Sequence, residues 1–251
     1  GALTTDDVGS KSTAVGADAL GVQNFATATD SFNTAVGFQA GVAVTTGIQN
    51  TLMGSRAGDA LTDADFNVAI GFEALTTDTL GNKSVALGTF ALKDQSSATA
   101  TDKFNVAVGH AAGENVTTGT QNTLIGGEAG DALTTGGENV AVGAFALSAE
   151  DGHGKNVAVG VQSLLSLDAG ADGNNTAVGY LSGKTISIGV QNTLVGSLAG
   201  DALTQGSQNV ALGYQALSTD DLGSHNVAIG ANALSDMNFA TATDSYNTAV
   251  G

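Results

Sequence analysis

The residues of this chain whose types could do chemistry are its carboxylates and three histidines. Asp59, Asp131 and Asp201 recur at one position of the sequence pattern, and Asp30, Asp102 and Asp244 at another. A calcium site needs six to eight oxygens. Asp63 with Asp65, or Asp220 with Asp221, could supply some, but the chain has no EF-hand and no Gly-Gly-x-Gly-x-Asp roll pattern. Turn chemistry explains most of these Asp residues, because their side chains bond nearby backbone N–H groups. His110, His153 and His225 share no ligand spacing and read as solvated turn residues. There is no Gly-x-Ser-x-Gly elbow, no phosphate loop with Lys and no Cys nucleophile. Paired carboxylates in a groove could cleave glycosides. Such a site needs unique residues, however, and here nearly every polar residue belongs to a series. The expectation is a chain with no catalytic residue and no cofactor or metal, calcium being the alternative.

That series is carried by one phrase, Asn33-Thr34-Ala35-Val36-Gly37, which returns fourteen times. Its first residue falls at Ser12, Asn33, Asn50, Asn67, Ser84, Asn105, Asn122, Asn139, Asn156, Asn175, Asn192, Asn209, Asn226 and Asn247. The fifth residue is always Gly, the fourth Val, Ile, Leu or Met, and the third Ala except at Leu52, Leu124 and Leu194. The spacing is mostly 17 residues, with 19 or 21 at every fourth step, so four copies make a larger unit of 70–72 residues. Self-similarity at a short fixed period marks a repeat architecture. The larger units run over about 12–83, 84–155 and 156–225, with a partial one at 226–251, and together read as one continuous repeat domain. The chain begins inside one repeat and stops at the fifth residue of another, so it reads as a fragment of a longer fibrous protein.

Each 17-residue unit is expected to be one coil of an all-β, parallel β-solenoid, or β-roll. The phrase is a short strand of period-two alternation: its second and fourth residues point to one face and its third to the other. The invariant Gly turns the chain, since Gly reaches φ > 0 without a Cβ penalty. A second short extended piece is expected around the eighth position, which is Ala or Ser in every complete coil. The leading Asn residues are expected to stack as a ladder. A helical reading fails, because Gly recurs every few residues and costs about 1 kcal/mol per helix site. Since the strand is apolar on both faces, the Ala face is expected to pack against a neighbouring copy.

Composition agrees with a repetitive scaffold. The chain has 251 residues, 36 Gly, no Pro, Cys or Trp and 5% aromatics, too few for a round core. Its 42% apolar content argues against disorder. A formal net charge of -17 argues against nucleic acid and anionic membranes as partners and would keep a long fibre soluble. No apolar run reaches membrane-spanning length. The candidate contact residues lie in the longer fourth coils, in segments 24–32, 94–104, 166–174 and 236–246: Phe25, Asp30, Phe32, Asp102, Phe104, Phe239, Asp244 and Tyr246. The competing role, which we prefer, is that their rings pin the segment back onto the coil or seal a subunit seam.

The segments Asn33 to Ala40, Asn209 to Leu217 and Asn226 to Gly230 resemble two related repeat families. One is the head repeat of trimeric autotransporter adhesins; the other is the Asn-Thr-Ala-Val-Gly-Tyr-Gln-Ala-Leu repeat of phage tail fibres and bacterial surface proteins. The resemblance implies a homotrimeric fibre, extracellular, on a cell surface or a virion, used for spacing, display and adhesion to a host-cell surface or glycan. The 17-residue coil and its grouping in fours are longer than the usual adhesin-head coil. The alternative is a binding solenoid for glycan, calcium or ice. The second position of the phrase alternates irregularly between Thr and Val, so it builds no continuous Thr array for ordering water.

Overall fold

The computed structural model describes every residue except Asp7. It divides into two compact units, Gly1–Asn122 and Thr123–Gly251. Each is a parallel β-solenoid, and among the described residues there is no helix. The motif strands of the first unit are Thr13–Val15, Thr34–Val36, Thr51–Met53, Val68–Ile70, Val85–Leu87 and Val106–Val108. Those of the second are Thr123–Ile125, Val140–Val142, Val157–Val159, Thr176–Val178, Thr193–Val195, Val210–Leu212, Val227–Ile229 and Thr248–Val250. Within each unit every strand pairs in parallel with the next, position on position: Ala35 faces Leu52, and Ala158 faces Ala177. The coils of 19 and 21 residues keep this register because their extra residues sit outside the strand. In three of them the insertion ends in a two-residue parallel bridge to the preceding coil, as in Thr101–Asp102 against Gly81–Asn82.

The third residue of the motif points inward. Ala35, Leu52, Ala69, Leu124, Ala158 and Leu194 are fully buried within the single chain. This corrects the expectation that the Ala face meets a neighbouring copy. The interior is narrow and its volume is shared. Leu52 fills space left by Gly41 and Gly58, where an added Cβ would lie 2.5 and 2.8 Å from its methyl carbons. Leu194 relates in the same way to Gly183 and Gly200, at 2.9 and 2.8 Å. In the coils where the third residue is Ala69, Ala86, Ala141 or Ala211, the ninth is instead a buried Leu: Leu75, Leu92, Leu147 or Leu217. Large opposite small keeps such a core at crystal-like density. The second and fourth residues form the outward face.

The motif Gly has φ near +140° in most coils. A Cβ at Gly126 would lie 2.5 Å from the carbonyl oxygen of Gly143 in the next coil, so a side chain there would push the coils apart. The expected second strand is absent: the eighth position lies in a turn, though Ala19, Ala74, Ser163 and Ala216 there are buried. Non-glycine residues with φ > 0 explain this. The seventh position (Gln39, Glu73, Phe145, Gln215) and the residue before each motif (Lys83, Glu138, Gln208) are all left-handed. So is the ninth, as at Leu75 and Leu217. Such a backbone costs about 1–2 kcal/mol per residue, and it turns successive N–H groups along the coil axis. Glu73 N–H donates to Ser55 O at 3.1 Å in the preceding coil, and Leu75 N–H to Ala91 O at 3.0 Å in the following one.

The leading Asn residues form the axial ladder. Asn192 Oδ1 accepts the Asn209 N–H at 2.9 Å, while Asn192 Nδ2 donates to Gly206 O at 2.9 Å in the closing turn of its coil. The same pair of bonds recurs at Asn33, Asn50 and Asn209. All of these amides are buried. Replacing Asn192 with Ala would leave the Asn209 N–H and the Gly206 carbonyl without partners. At about 1–3 kcal/mol for each stranded group, the Asn192→Ala chain is expected to lose about 2–6 kcal/mol in urea unfolding.

Candidate functional site

Chemistry-bearing side chains gather where one four-coil unit meets the next. The junction starts from an acid that recurs with the larger period: Asp6, Asp78, Glu150 and Asp220. Each accepts the N–H three residues on, from Gly9 at 2.7 Å, Gly81 at 3.0 Å, His153 at 3.0 Å and Gly223 at 3.0 Å. Asp78, Glu150 and Asp220 are fully buried. Two of the four acids serve the ladder where Ser replaces Asn. Buried Gln95 donates to Asp78 Oδ2 at 2.6 Å and to Ser84 Oγ at 3.0 Å, and its Oε1 accepts from Asn105 Nδ2 at 2.9 Å. Gln23 does the same between Asp6, Ser12 and Asn33. The amide that Ser12 and Ser84 lack is thus supplied from the next turn.

On the outside of the same junction sits a clamp. Lys83 Nζ lies 2.5 Å from Asp102 Oδ2 and 5.3 Å from the centre of the Phe104 ring. Lys11 makes the same pair of contacts with Asp30 at 2.6 Å and Phe32 at 5.1 Å. In the last copy His225 takes the lysine's place, 3.2 Å from Asp244 and stacked on Tyr246 with ring centres 4.8 Å apart. Lys155 pairs with Asp172 at 2.6 Å, but Asn174 stands where the others have a ring. Six of the eight candidate contact residues therefore hold their own insertion against the preceding coil. Of the other two, Phe25 is buried and Phe239 half-buried. Lys103, nearly buried, adds a further tie by donating to the carbonyls of Ser96 at 3.2 Å and Thr118 at 3.3 Å.

Of the acid pairs considered for calcium, Asp63 and Asp65 both bond to the preceding coil. Asp63 accepts the Thr46 hydroxyl at 2.6 Å, and Asp65 accepts the Ile48 N–H at 2.8 Å. Asp220 accepts the Gly223 N–H at 3.0 Å, and Asp221 keeps a buried carboxylate oxygen, Oδ1, with no hydrogen-bond partner among the described residues. One grouping escaped the sequence reading: Glu150, Asp151, His153 and Asp168 present ligand atoms all within 4.8 Å of one another. The spacing of His from His does not reveal it. The available signal was positional, since His153 stands where the other units have Gly9, Gly81 and Gly223. His110 instead lies edge-on to Phe90, with centres 6.1 Å apart.

Two electrostatic groups follow. Burial raises the pKa of Glu150, Asp220, Asp201 and Asp65 above the ordinary carboxylate range. The lysine hydrogen bonds of the clamps lower those of Asp30, Asp102 and Asp172. No protein-family model, curated protein or solved structure matches this chain.

The raised acids bind protons more tightly in the folded chain, so their contribution favours folding at low pH and is lost as pH rises through their folded pKa values. The lowered acids behave oppositely, and their contribution is lost as pH falls below the ordinary 3.8. The melting temperature is therefore expected to rise as pH falls from neutral toward the ordinary carboxylate range, and to fall again as pH drops below it. Asp220→Asn should remove part of the rise at the acid-neutral limb when melting is followed by circular dichroism.

Proposed function

We propose that this chain is the repeat region of an extracellular fibre, borne on a cell surface or a virion. Its work is spacing and display, and it assembles with copies of itself as a homotrimer. The observation that carries this reading is the outward face of the motif strands. Its second, fourth and sixth positions hold no Asp, Glu, Lys or Arg in any coil. In a chain of net charge -17 this is the surface on which copies approach without repulsion. It is also apolar. Val15, Phe38, Met53 and Phe72 in the first unit are 57%, 48%, 44% and 44% exposed, and Tyr180 and Tyr214 in the second 55% and 52%. A repeated apolar strip edged by polar residues is the usual form of an interaction surface. The stoichiometry rests on the resemblance to trimeric adhesin heads and tail-fibre repeats. Adhesion belongs to exposed rings and turns or to parts beyond this repeat region. The absence of any unique polar constellation in the repeated faces favours a scaffold over an enzyme.

The test is the solution mass by light scattering at low concentration. Three times the chain mass is expected, and a double variant, Tyr180→Asp with Val195→Asp, should fall to a single chain while keeping its circular dichroism spectrum. Both positions are exposed, so the substitution costs the lone coil little. A monomeric parent, or a variant of unchanged mass, would overturn the assignment.

A further inference from the structure

We propose that His225, Asp244 and Tyr246 form a pH-sensitive version of the clamp, closed when the imidazole is protonated and loosened when it is neutral. The argument starts from the residue just before the first motif of each four-coil unit. It is Lys11, Lys83 and Lys155 in three units and His225 in the fourth. All four have left-handed backbones, with φ of 62°, 59°, 63° and 62°, so one kind of turn presents all four side chains. Each reaches an Asp on the insertion that follows: Asp30, Asp102, Asp172 and Asp244. Lys11 and Lys83 also lie over the rings of Phe32 and Phe104, and His225 stacks on Tyr246 with the ring planes 25° apart. An imidazole changes charge between about pH 5 and 8, whereas a lysine ammonium is charged throughout that range. Of the four clamps, the one at His225 is therefore the one whose ion pair can be switched.

The surroundings of His225 make its charge decide the contact. Its Nδ1 is buried and lies 3.2 Å from Asp244 Oδ1, yet it forms no directed hydrogen bond. The contact draws on charge rather than bond direction, so a neutral ring loses it. Asp30 has a second donor in the Ser10 hydroxyl at 2.6 Å, while Asp244 has His225 alone among the described residues. No other cation stands in reserve, because from Thr185 to Gly251 the chain has five Asp, no Lys or Arg, and His225 as its one His. Protonation also gives the stacked pair the cation–π attraction that the lysines have with Phe. Backbone bonds keep the register in either state: His225 N–H donates to Ser207 O at 3.1 Å, and Ser245 N–H to Ser224 O at 3.0 Å. Release of the rings thus loosens the insertion, with Met237 and the half-buried Phe239, without unwinding the coil.

The other titratable groups on these turns are Asp220, Asp221 and Asp236, and Gln208, which holds the equivalent place in the preceding coil, is neutral. Asp220 accepts backbone N–H groups of Gly223 and Phe239, so it too touches the insertion. It stays in place whichever residue occupies position 225, and substitution there separates the two. This inference does not rest on self-association.

The experiment is hydrogen exchange of the chain at about pH 5 and about pH 8, corrected for intrinsic exchange. The readout is the protection of segment 236–246, with segment 24–32 as the internal reference. Protection of 236–246 is expected to fall about 3- to 30-fold at the higher pH, the combined worth of an exposed ion pair and a cation–π contact, while 24–32 holds steady. His225→Lys restores the residue of the other units and should make 236–246 insensitive to pH. Lys11→His should carry the sensitivity to 24–32. Equal protection of 236–246 at both pH values would overturn the proposal. So would a response that survives His225→Lys, which would assign it to Asp220, or a Lys11→His chain that shows none at 24–32.

Discussion

A buried asparagine amide at the head of each motif strand is the contact on which the coils depend. Its oxygen takes the backbone N–H of the next Asn, and its nitrogen closes its own coil onto the carbonyl fourteen residues on. Both groups lie where water does not reach, so leaving either one unmade would cost more than a typical bond contributes. The ladder therefore admits only one alignment of coil on coil. The strand register, the stacking of Gly on Gly and the placing of insertions outside the strand all follow from it. At Ser12 and Ser84, where the amide is missing, a buried Gln is brought in from the adjoining turn. That substitution shows how strictly the donor-acceptor count is maintained.

Keeping one register also sorts the surface. Whatever occupies a given motif position forms a column, so a single residue preference is multiplied along each unit. Inward columns alternate Ala and Leu against Leu and Gly, and outward columns hold Val, Ile, Leu, Met, Thr and scattered rings, with no Asp, Glu, Lys or Arg. The acids are confined to turns and junctions. Each unit presents a bland, uncharged strip and a strongly negative remainder.

Much of this was legible in the residues themselves. The recurrence of Asn33-Thr34-Ala35-Val36-Gly37 identified the coil, and the invariant Gly identified its turn. The placing of the Ala column was misread. Small residues permit close approach between copies, yet the actual neighbour of Ala35 is Leu52 within the same coil stack. The turn arc was misread too, because Glu73, Leu75 and Gln215 carry no propensity for φ > 0. Their conformation is imposed by axial hydrogen bonds to both neighbouring coils, which no single coil's sequence encodes. In the clamps, Asp102 and Phe104 were found by recurrence. Their partner Lys83 lies 19 residues back and meets them only once the coils stack.

Sequence alone determined the period, the strand, the turning Gly and the polar ladder, since each depends on chemistry repeated within one coil. Tertiary structure decided which face of the strand is core, how the inserted segments are tied down, and that Glu150, His153 and Asp168 converge. Those outcomes depend on axial neighbours 17 to 21 residues apart. Stacking at about 4.8 Å turns that sequence distance into contact, and only a fixed register says which side chains share it.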